Sequence, residues 1–171
     1  MKVTLVLMLL AACAFAQEES AIPAPACGSQ SANFDVKRDP TQHTFTPPEP
    51  GKARVYFIQD MGVINCIGSC LTTKIGLDGT WVGAVQNNSY FSFSVEPGEH
   101  HVCVNRQSHF ARYNQITALA HFSAEAGKIY YFRTRTFGSQ TQAIVDLDPI
   151  DSDQGRYLID LYPLSVAHAK P

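Results

Sequence analysis

The side chains with the clearest capacity for chemistry are two adjacent histidines and a nearby cysteine, His100, His101 and Cys103. On a β-strand, His101 and Cys103 would project from the same face, because side chains alternate with a period of two. Copper and zinc accept imidazole and thiolate ligands, and His109 or His121 could supply a third. Two ligands do not make a site, however, and a disulfide at Cys103 would remove one of them. A small copper- or zinc-handling protein is therefore the alternative function, and we predict no bound cofactor.

A second candidate is a ligand-binding face formed by Arg133, Arg135 and Tyr131. These residues are two positions apart, so they would share one face of a strand. Guanidinium groups pair with carboxylates and phosphates. This face could therefore contact an anionic glycan, a lipid head group or a carboxylate-bearing peptide, while the ordinary interpretation is a solvated strand face.

Residues typical of enzyme active sites are present but form no catalytic pattern. Ser69 and Ser139 each follow a glycine, and neither lies in a nucleophile elbow. Cys66 and Cys70 have one residue too many between them for a C-x-x-C redox motif. Four aspartates near the C-terminus lack the glycine and distal glutamate of an EF-hand loop: Asp146, Asp148, Asp151 and Asp153. We therefore predict a protein that is not an enzyme.

The cysteines indicate disulfides. The chain has five, and Cys13 lies in the N-terminal apolar segment, which leaves Cys27, Cys66, Cys70 and Cys103. An even set in an exported protein favours two bridges, with three possible connectivities. We favour a local bridge between Cys66 and Cys70 and a second bridge between Cys27 and Cys103. The alternative is a set of free or partly paired thiols.

The first residues have the features of an export signal. Lys2 precedes the apolar stretch Val3–Ala12, and Ala14–Ala16 has the A-x-A form of a cleavage site. This pattern predicts a signal peptide over residues 1–16 and a periplasmic or secreted protein. A competing interpretation is a lipobox at Leu10–Cys13, in which Cys13 would be acylated. We expect membrane association only in that case.

Composition indicates one globular domain behind an extended N-terminal segment. Charged residues are 16% of the chain, hydrophobic residues are 45% and the net charge is −2, which gives no indication of nucleic-acid binding. Six of the ten prolines lie between residues 17 and 51, and such a stretch favours extended conformations. We therefore predict a Pro-rich arm over 17–51, a β-sandwich domain over 52–162 and a tail over 163–171.

Turn signals at short intervals predict the fold class. Asp78-Gly79, Asn87-Asn88 and Pro97-Gly98 separate four short runs that are rich in strand-forming residues. They predict a four-stranded antiparallel meander with these strands: Thr72–Leu77, Thr80–Gln86, Ser89–Glu96 and Glu99–Asn105. Alternation in the third run places Phe91, Phe93 and Val95 on one face.

Other segments complete an antiparallel β-sandwich of about eight strands. Ala53–Gln59 is apolar on both faces, which is typical of a central strand. Three further strands are predicted: Asn114–Ser123, Lys128–Phe137 and Gln142–Leu147. Asp151 is a candidate N-cap for a short C-terminal helix. A strand through Arg156–Leu161 is the alternative to that helix.

Short motifs in and beside the strands resemble a known family. They are Ala53–Phe57, Leu77–Gly79, Val82-Gly83, Ser89–Phe91, Val95–His100 and Ala126–Tyr131. With them the chain resembles, from Ala53 to about Leu158, the bacterial family called domain of unknown function 2846. The resemblance implies an exported, often lipoprotein-like β-domain of the cell envelope, and it carries no established functional residues. A weaker similarity to modules of the PEGA type implies the same fold class.

Taken together, these patterns predict an exported bacterial β-sandwich without catalytic activity. The predicted role is a binding or structural module of the cell envelope, with an envelope protein or a glycan as partner.

Overall fold

The structure is a computed structural model and describes residues 27–29, 31–42, 45–62, 71–108, 116–138 and 143–170. The bounds of the strands and of the helix in these residues are β1 Phe34–Asp39, β2 Ala53–Gln59, β3 Thr72–Leu77, β4 Thr80–Gln86, β5 Ser89–Val95, β6 Gly98–Gln107, β7 Thr117–Ala124, β8 Ile129–Thr134, β9 Thr136–Gly138, β10 Ala143–Val145, β11 Asp148–Ile150, α1 Ser152–Leu161 and β12 Leu164–Ala169. The predicted count of eight is thus too low, because β1, β11 and β12 are additional and one predicted strand is divided at Arg135.

The strands form two sheets that face each other. The first sheet has the order β1-β12-β5-β2-β8-β11, the second has the order β4-β3-β6-β7, and β9 and β10 form a separate hairpin. The predicted all-β sandwich is confirmed. It is not wholly antiparallel, however, because β2 pairs parallel with β8 and β12 pairs parallel with β5. No helix in the described residues is long and apolar enough to cross a membrane.

The central strand β2 connects two apolar cores, as its sequence predicts. Val55 and Phe57 point between the sheets, where Phe57 stacks on Phe132 with ring centroids 5.3 Å apart. Tyr56 and Ile58 point to the opposite face of the first sheet and pack under α1. Burial on both faces explains why this strand has no polar alternation.

The C-terminal helix covers the outer face of the first sheet. The carboxylate of Asp151 accepts hydrogen bonds from the backbone N–H groups of Asp153 and Gln154, so the predicted N-cap is confirmed. The alternative strand through Arg156–Leu161 is wrong. Burial of Leu158 and Ile159 against Tyr56 stabilises the helix, because its apolar side chains recur at helical spacing.

The predicted meander is wrong, although its first turn is confirmed. Asp78 and Gly79 have φ values of 48° and 82°, as a two-residue hairpin loop requires. At the next turn the chain leaves the second sheet, and β5 pairs with β2 instead of β4. The Asn87 side chain accepts a hydrogen bond from the Leu71 backbone, and Asn88 bonds the backbone of Met61. The two asparagines therefore hold neighbouring loops at a crossing between sheets.

The predicted arm and tail both contribute strands, so the boundaries 52–162 are too narrow. Strand β1 pairs antiparallel with β12, and the two wrap around β4 on one side of the sandwich. Phe34 and Val36 are buried there against Ala84. The prolines of the arm lie outside β1, so they remove no hydrogen bond of its ladder. On the side of the sandwich formed by β7 and β11, no pair of strands within the described residues joins the two sheets in this way, although β10 contacts β6 and β7.

Candidate functional site

A short segment before β1 lies on the outer face of the second sheet. Its described residues are Cys27–Ser29 and Ser31–Asn33, and it is here called the latch. A disulfide joins Cys27 to Cys103 in β6, with Cα atoms 5.3 Å apart. Further along the latch, the indole Nε1 of Trp81 in β4 donates a hydrogen bond to the carbonyl oxygen of Ser29 at 2.6 Å. The latch therefore crosses from β6 to β4. The other favoured bridge, between Cys66 and Cys70, lies outside the described residues.

Two polar side chains hold the end of the latch and the start of β1. Lys74, which is 2% exposed, donates from Nζ to the carbonyl oxygen of Ala32 at 3.1 Å and lies 4.4 Å from the centre of the Trp81 ring system. Burial lowers the pKa of this ammonium group. The side-chain amide of Gln107 bonds both the backbone N–H and the carbonyl oxygen of Phe34, as a neighbouring strand would. These contacts serve the fold.

The histidine and cysteine cluster does not form the metal site that the alternative function requires. The sulfur of Cys103 is bonded to Cys27, so it offers no thiolate to a metal ion. The role of Cys103 as a metal ligand in the alternative function is therefore wrong. His100 Nδ1 lies 2.7 Å from Asp78 Oδ2, and its Nε2 lies 2.8 Å from the Glu96 carbonyl oxygen. Both ring nitrogens thus face acceptors. Among the described residues no three His, Cys, Asp or Glu side chains are grouped to hold a metal ion, and His109 lies outside them.

His101 and His121 are cross-strand neighbours on β6 and β7, with ring centroids 6.4 Å apart. They face away from the core, because the intervening residues Val102 and Ala120 point between the sheets. The two rings therefore lie on the outer face of the second sheet, next to its edge.

The bonding of His100 predicts a pH-dependent stability. Burial alone would lower the pKa of His100, but hydrogen bonds to Asp78 and Glu96 outweigh it and raise this pKa above 6.5. A raised folded-state pKa contributes stability that is complete below about pH 6.5 and is lost as the pH rises through the folded-state value. We expect His100→Gln to lower the free energy of unfolding by about 1 kcal/mol near pH 5, and by less in alkaline solution.

Urea unfolding of both proteins at several pH values would measure this difference. Asp78→Asn is the matched control, because it keeps an oxygen for the His101 backbone N–H while removing the charge that favours protonated His100. Asp78→Asn should abolish the pH dependence of the stability that His100 contributes. An equal loss at acidic and alkaline pH would show that the His100 ring contributes by packing alone.

The predicted ligand face is divided by the fold. Tyr131 is 5% exposed and stacks on Tyr56 beneath α1. The guanidinium of Arg135 lies 2.8 Å from Asp146 and 3.3 Å from Asp148, so its charge is compensated within the chain. Arg133 belongs to β8 and has a buried Nε without a hydrogen-bond partner. The three residues therefore do not form a common surface for an anionic ligand.

A groove that sequence reasoning missed lies on the open side of the sandwich. Its volume is about 310 Å³, and it runs between β7 of the second sheet and the first half of β8. Phe122 packs against Tyr130 and Phe132 in its wall, with centroid distances of 5.0 and 5.3 Å. The lining comprises Ala120, His121, Phe122, Ile129, Tyr130, Tyr131, Phe132, Pro149, Ile150 and Ser152. No carboxylate, ammonium or guanidinium group belongs to it.

The edge strand beside this groove carries unpaired backbone groups. Arg106 donates its backbone N–H to the Ile116 carbonyl, which makes these two residues a hydrogen-bonded pair between β6 and the start of β7. In an antiparallel ladder such pairs alternate with pairs that exchange no hydrogen bond, so Ala118, Ala120 and Phe122 are the residues of β7 that bond β6. The N–H and C=O groups of the intervening residues then point away from the sheet: Thr117, Leu119, His121 and Ser123. In the described part of the chain no strand is hydrogen-bonded to them, although β10 contacts β7.

The composition of β7 also differs from that of a protected edge. Its sequence, TALAHFSA, has no acidic residue, lysine, arginine or proline, and its register with β6 is regular. Proteins commonly place charges, prolines or bulges on exposed edges to prevent further pairing. This absence was visible in the sequence. Only the fold shows that β7 is an edge.

Comparison with known proteins identifies the family. No curated protein and no solved structure matches the chain. A family described as "Protein of unknown function (DUF2846)" matches residues 49–146, more than half of the sequence. The matched residues include the groove-forming parts of β7 and β8, whereas the latch, α1 and β12 lie outside them. The chain therefore belongs to the DUF2846 family, as the motifs of its strands and turns predicted.

Proposed function

We propose that this protein is an exported, non-catalytic binding module of the bacterial cell envelope. The observation that carries the proposal is the apolar groove beside the uncharged edge of β7. A concave apolar surface next to unpaired backbone groups is suited to binding a partner. The partner is an envelope protein or a glycan.

The state of the reactive side chains supports a role without catalysis. Lys74, His100 and Arg135 each contact groups that stabilise the fold, and none of them lines the groove. A catalytic site needs a nucleophile or an acid–base pair that faces a cavity. His121 and Ser152 belong to the lining, but the His121 ring lies beside His101 on the face of β7 that points away from the core. The rest of the groove offers apolar surface and main-chain hydrogen-bonding groups.

The proposed location follows from the N-terminal sequence. Residues 1–16 would direct export and be removed, which leaves a periplasmic or secreted protein. Acylation at Cys13 would instead anchor the protein to a membrane. Disulfide bonding of Cys27 to Cys103 agrees with an oxidising compartment.

Site-specific photocrosslinking in intact cells of the native host would test this function. A benzophenone side chain at position 119, on the edge strand, should form covalent adducts in the envelope fraction. The matched control is the same group at position 157 on α1, because Leu119 and Tyr157 are almost equally exposed, at 66% and 65%. We expect adducts from position 119 to exceed those from 157 at least about fivefold, as localised binding requires.

Equal adduct yields from both positions, or none from position 119, would reject the binding role of this side of the sandwich. Turnover of a substrate that a single substitution abolishes would reject the non-catalytic part of the proposal.

A further inference from the structure

We propose that the groove binds an extended, uncharged segment of another protein, which adds as a strand to the edge of β7. This inference rests on the proposed function and specifies the partner of the same site. Three features of the molecule carry it: the direction of the free backbone groups, the shape of the groove and its lack of charge.

The backbone groups select a polypeptide. The outward N–H and C=O groups of Leu119 and His121 have the spacing of an antiparallel or parallel ladder, because β7 is regular over its whole length. An incoming strand would lie about 4.8 Å beyond β7 and bond these groups with its own main chain. A glycan has hydroxyl groups but no such repeating ladder. Main-chain pairing therefore supplies affinity that does not depend on the partner's side chains.

The groove selects the side chains. An added strand directs every second side chain towards the inner side of the sheet. On that side the groove presents Tyr130 and Phe132 of β8, together with Ala120 and Phe122 of β7. Ile129 and Ile150 line the groove from the opposite face of the first sheet. Because its volume is about 310 Å³, it can take more than one large apolar side chain.

Charge complementarity restricts the partner further. The edge strand and the groove contain no acidic residue, lysine or arginine, so a charged side chain entering here would lose water without gaining an opposite charge. The partner segment should therefore be uncharged, with large apolar residues at alternate positions.

A second copy of this chain is less suited to the same place. Pairing β7 with β7 would direct Ala118, Ala120 and Phe122 to the inner face of each added strand. Phe122 already packs against Tyr130 and Phe132 of its own chain, which leaves the methyl groups of the two alanines to enter the groove. These methyl groups would leave most of the groove empty, and unfilled apolar space gives little binding energy. A foreign segment with larger alternate residues fills it.

A pair of variants at one residue of β7 tests the main-chain contact. His121→Pro removes an outward N–H without removing a bond to β6, because His121 lies between Ala120 and Phe122, whose backbone groups make the hydrogen bonds to β6. His121→Ala removes the imidazole and keeps the N–H. The probe is a fluorescein-labelled peptide, Ser-Val-Ser-Phe-Ser-Val-Ser. We expect His121→Pro to weaken its binding at least about tenfold and His121→Ala to change it less than about twofold.

N-methylated peptides repeat the test on the unaltered protein, in case His121→Pro does not fold. Methylation of the backbone nitrogens of the serines, or of the apolar residues, blocks one edge of the peptide strand at a time. One of the two peptides should lose binding and the other should keep it. Hydrogen exchange should slow at the amides of Leu119 and His121 when the unmethylated peptide binds.

Several results would overturn strand addition. These are absence of binding by the unmethylated peptide, equal weakening by both His121 variants, equal binding of both methylated peptides, or a dimer of this chain that His121→Pro dissociates. Photoadducts at position 119 that contain glycan would also overturn it, while leaving the proposed binding function intact. Failure to form adducts at position 119 would instead reject the binding function itself.

Discussion

Removal of the Cys27–Cys103 disulfide is expected to lower the free energy of unfolding by about 4.5 kcal/mol. The bridge joins residues separated by 76 positions, and a cross-link over a loop of that length removes much conformational entropy from the unfolded chain. Because the bridge anchors the latch beside β6, its loss should also free the latch from Trp81 and Lys74. The change to make is Cys27→Ser together with Cys103→Ser, since it removes this bridge and leaves the other cysteines unchanged.

Trp81 provides a direct measurement of this effect. It is the only tryptophan of the chain, and its indole is bonded to the latch. Urea unfolding followed by Trp81 fluorescence and by circular dichroism would report on the latch and on the sheets, respectively. If the fluorescence and circular dichroism transitions of the double serine variant coincide, at a lower urea concentration than those of the unaltered protein, the latch and the sandwich unfold together.

Trp81→Phe is the control for the disulfide experiment. It keeps the bridge and removes one hydrogen bond, so the loss followed by circular dichroism should be about 1 kcal/mol. If the double serine variant lost less than this control, the bridge would not be a major source of stability.

Gly155→Val is expected to lower the free energy of unfolding by about 3 kcal/mol, although a glycine weakens a helix. Gly155 lies where α1 packs on the first sheet, and a Cβ atom added there would clash with Cδ1 and Cγ of the Tyr131 ring. The Tyr131 ring cannot move away easily, because it is buried and stacked on Tyr56 with centroids 5.5 Å apart. The helix would have to shift off the sheet. Urea unfolding is again the measurement.

A smaller substitution distinguishes local propensity from packing. Gly155→Ala should stabilise an isolated helix by about 1 kcal/mol, yet it should destabilise this protein. Combining Gly155→Ala with Tyr131→Leu should restore part of the loss, since the second change removes the ring that the methyl group would meet. A stabilising Gly155→Ala would contradict the close contact between α1 and β8.

Local backbone features could be predicted from neighbouring residues. Asp78-Gly79 forms the expected tight turn, and Asp151 caps the expected helix. Each depends on residues a few positions apart, whose preferred φ values and hydrogen bonds are local properties. The alternation of Phe91, Phe93 and Val95 likewise placed them correctly against the core between the sheets.

Strand partners could not be predicted in the same way. The turn Pro97-Gly98 was expected to close a hairpin, yet it carries the chain from β5 in the first sheet to β6 in the second. A strand with one apolar face has the same alternation whether its neighbour in sequence or a distant strand lies beside it. Burial of the whole core decides between these arrangements, and that quantity is not local.

The candidate site shows the same division. The even number of cysteines favoured two bridges, and the short spacing of Cys66 and Cys70 left Cys27 and Cys103 as the second pair. The contacts of Ser29 and Ala32 with side chains of the second sheet depend on the fold. The groove needs β7 and β8 to meet from two different sheets. No spacing of residues along the chain predicts that meeting.

The sequence by itself determined the fold class, the turn at Asp78-Gly79, the central position of β2 and the helix cap, because nearest neighbours and period-two patterns are sufficient for these. Tertiary structure alone decided that β1 and β12 close one side of the sandwich, and that β7 is an edge beside a groove among the strands that the structure describes. The physical reason is that an edge is defined by the absence of a partner strand. That absence is a property of the assembled sheet and of no single segment.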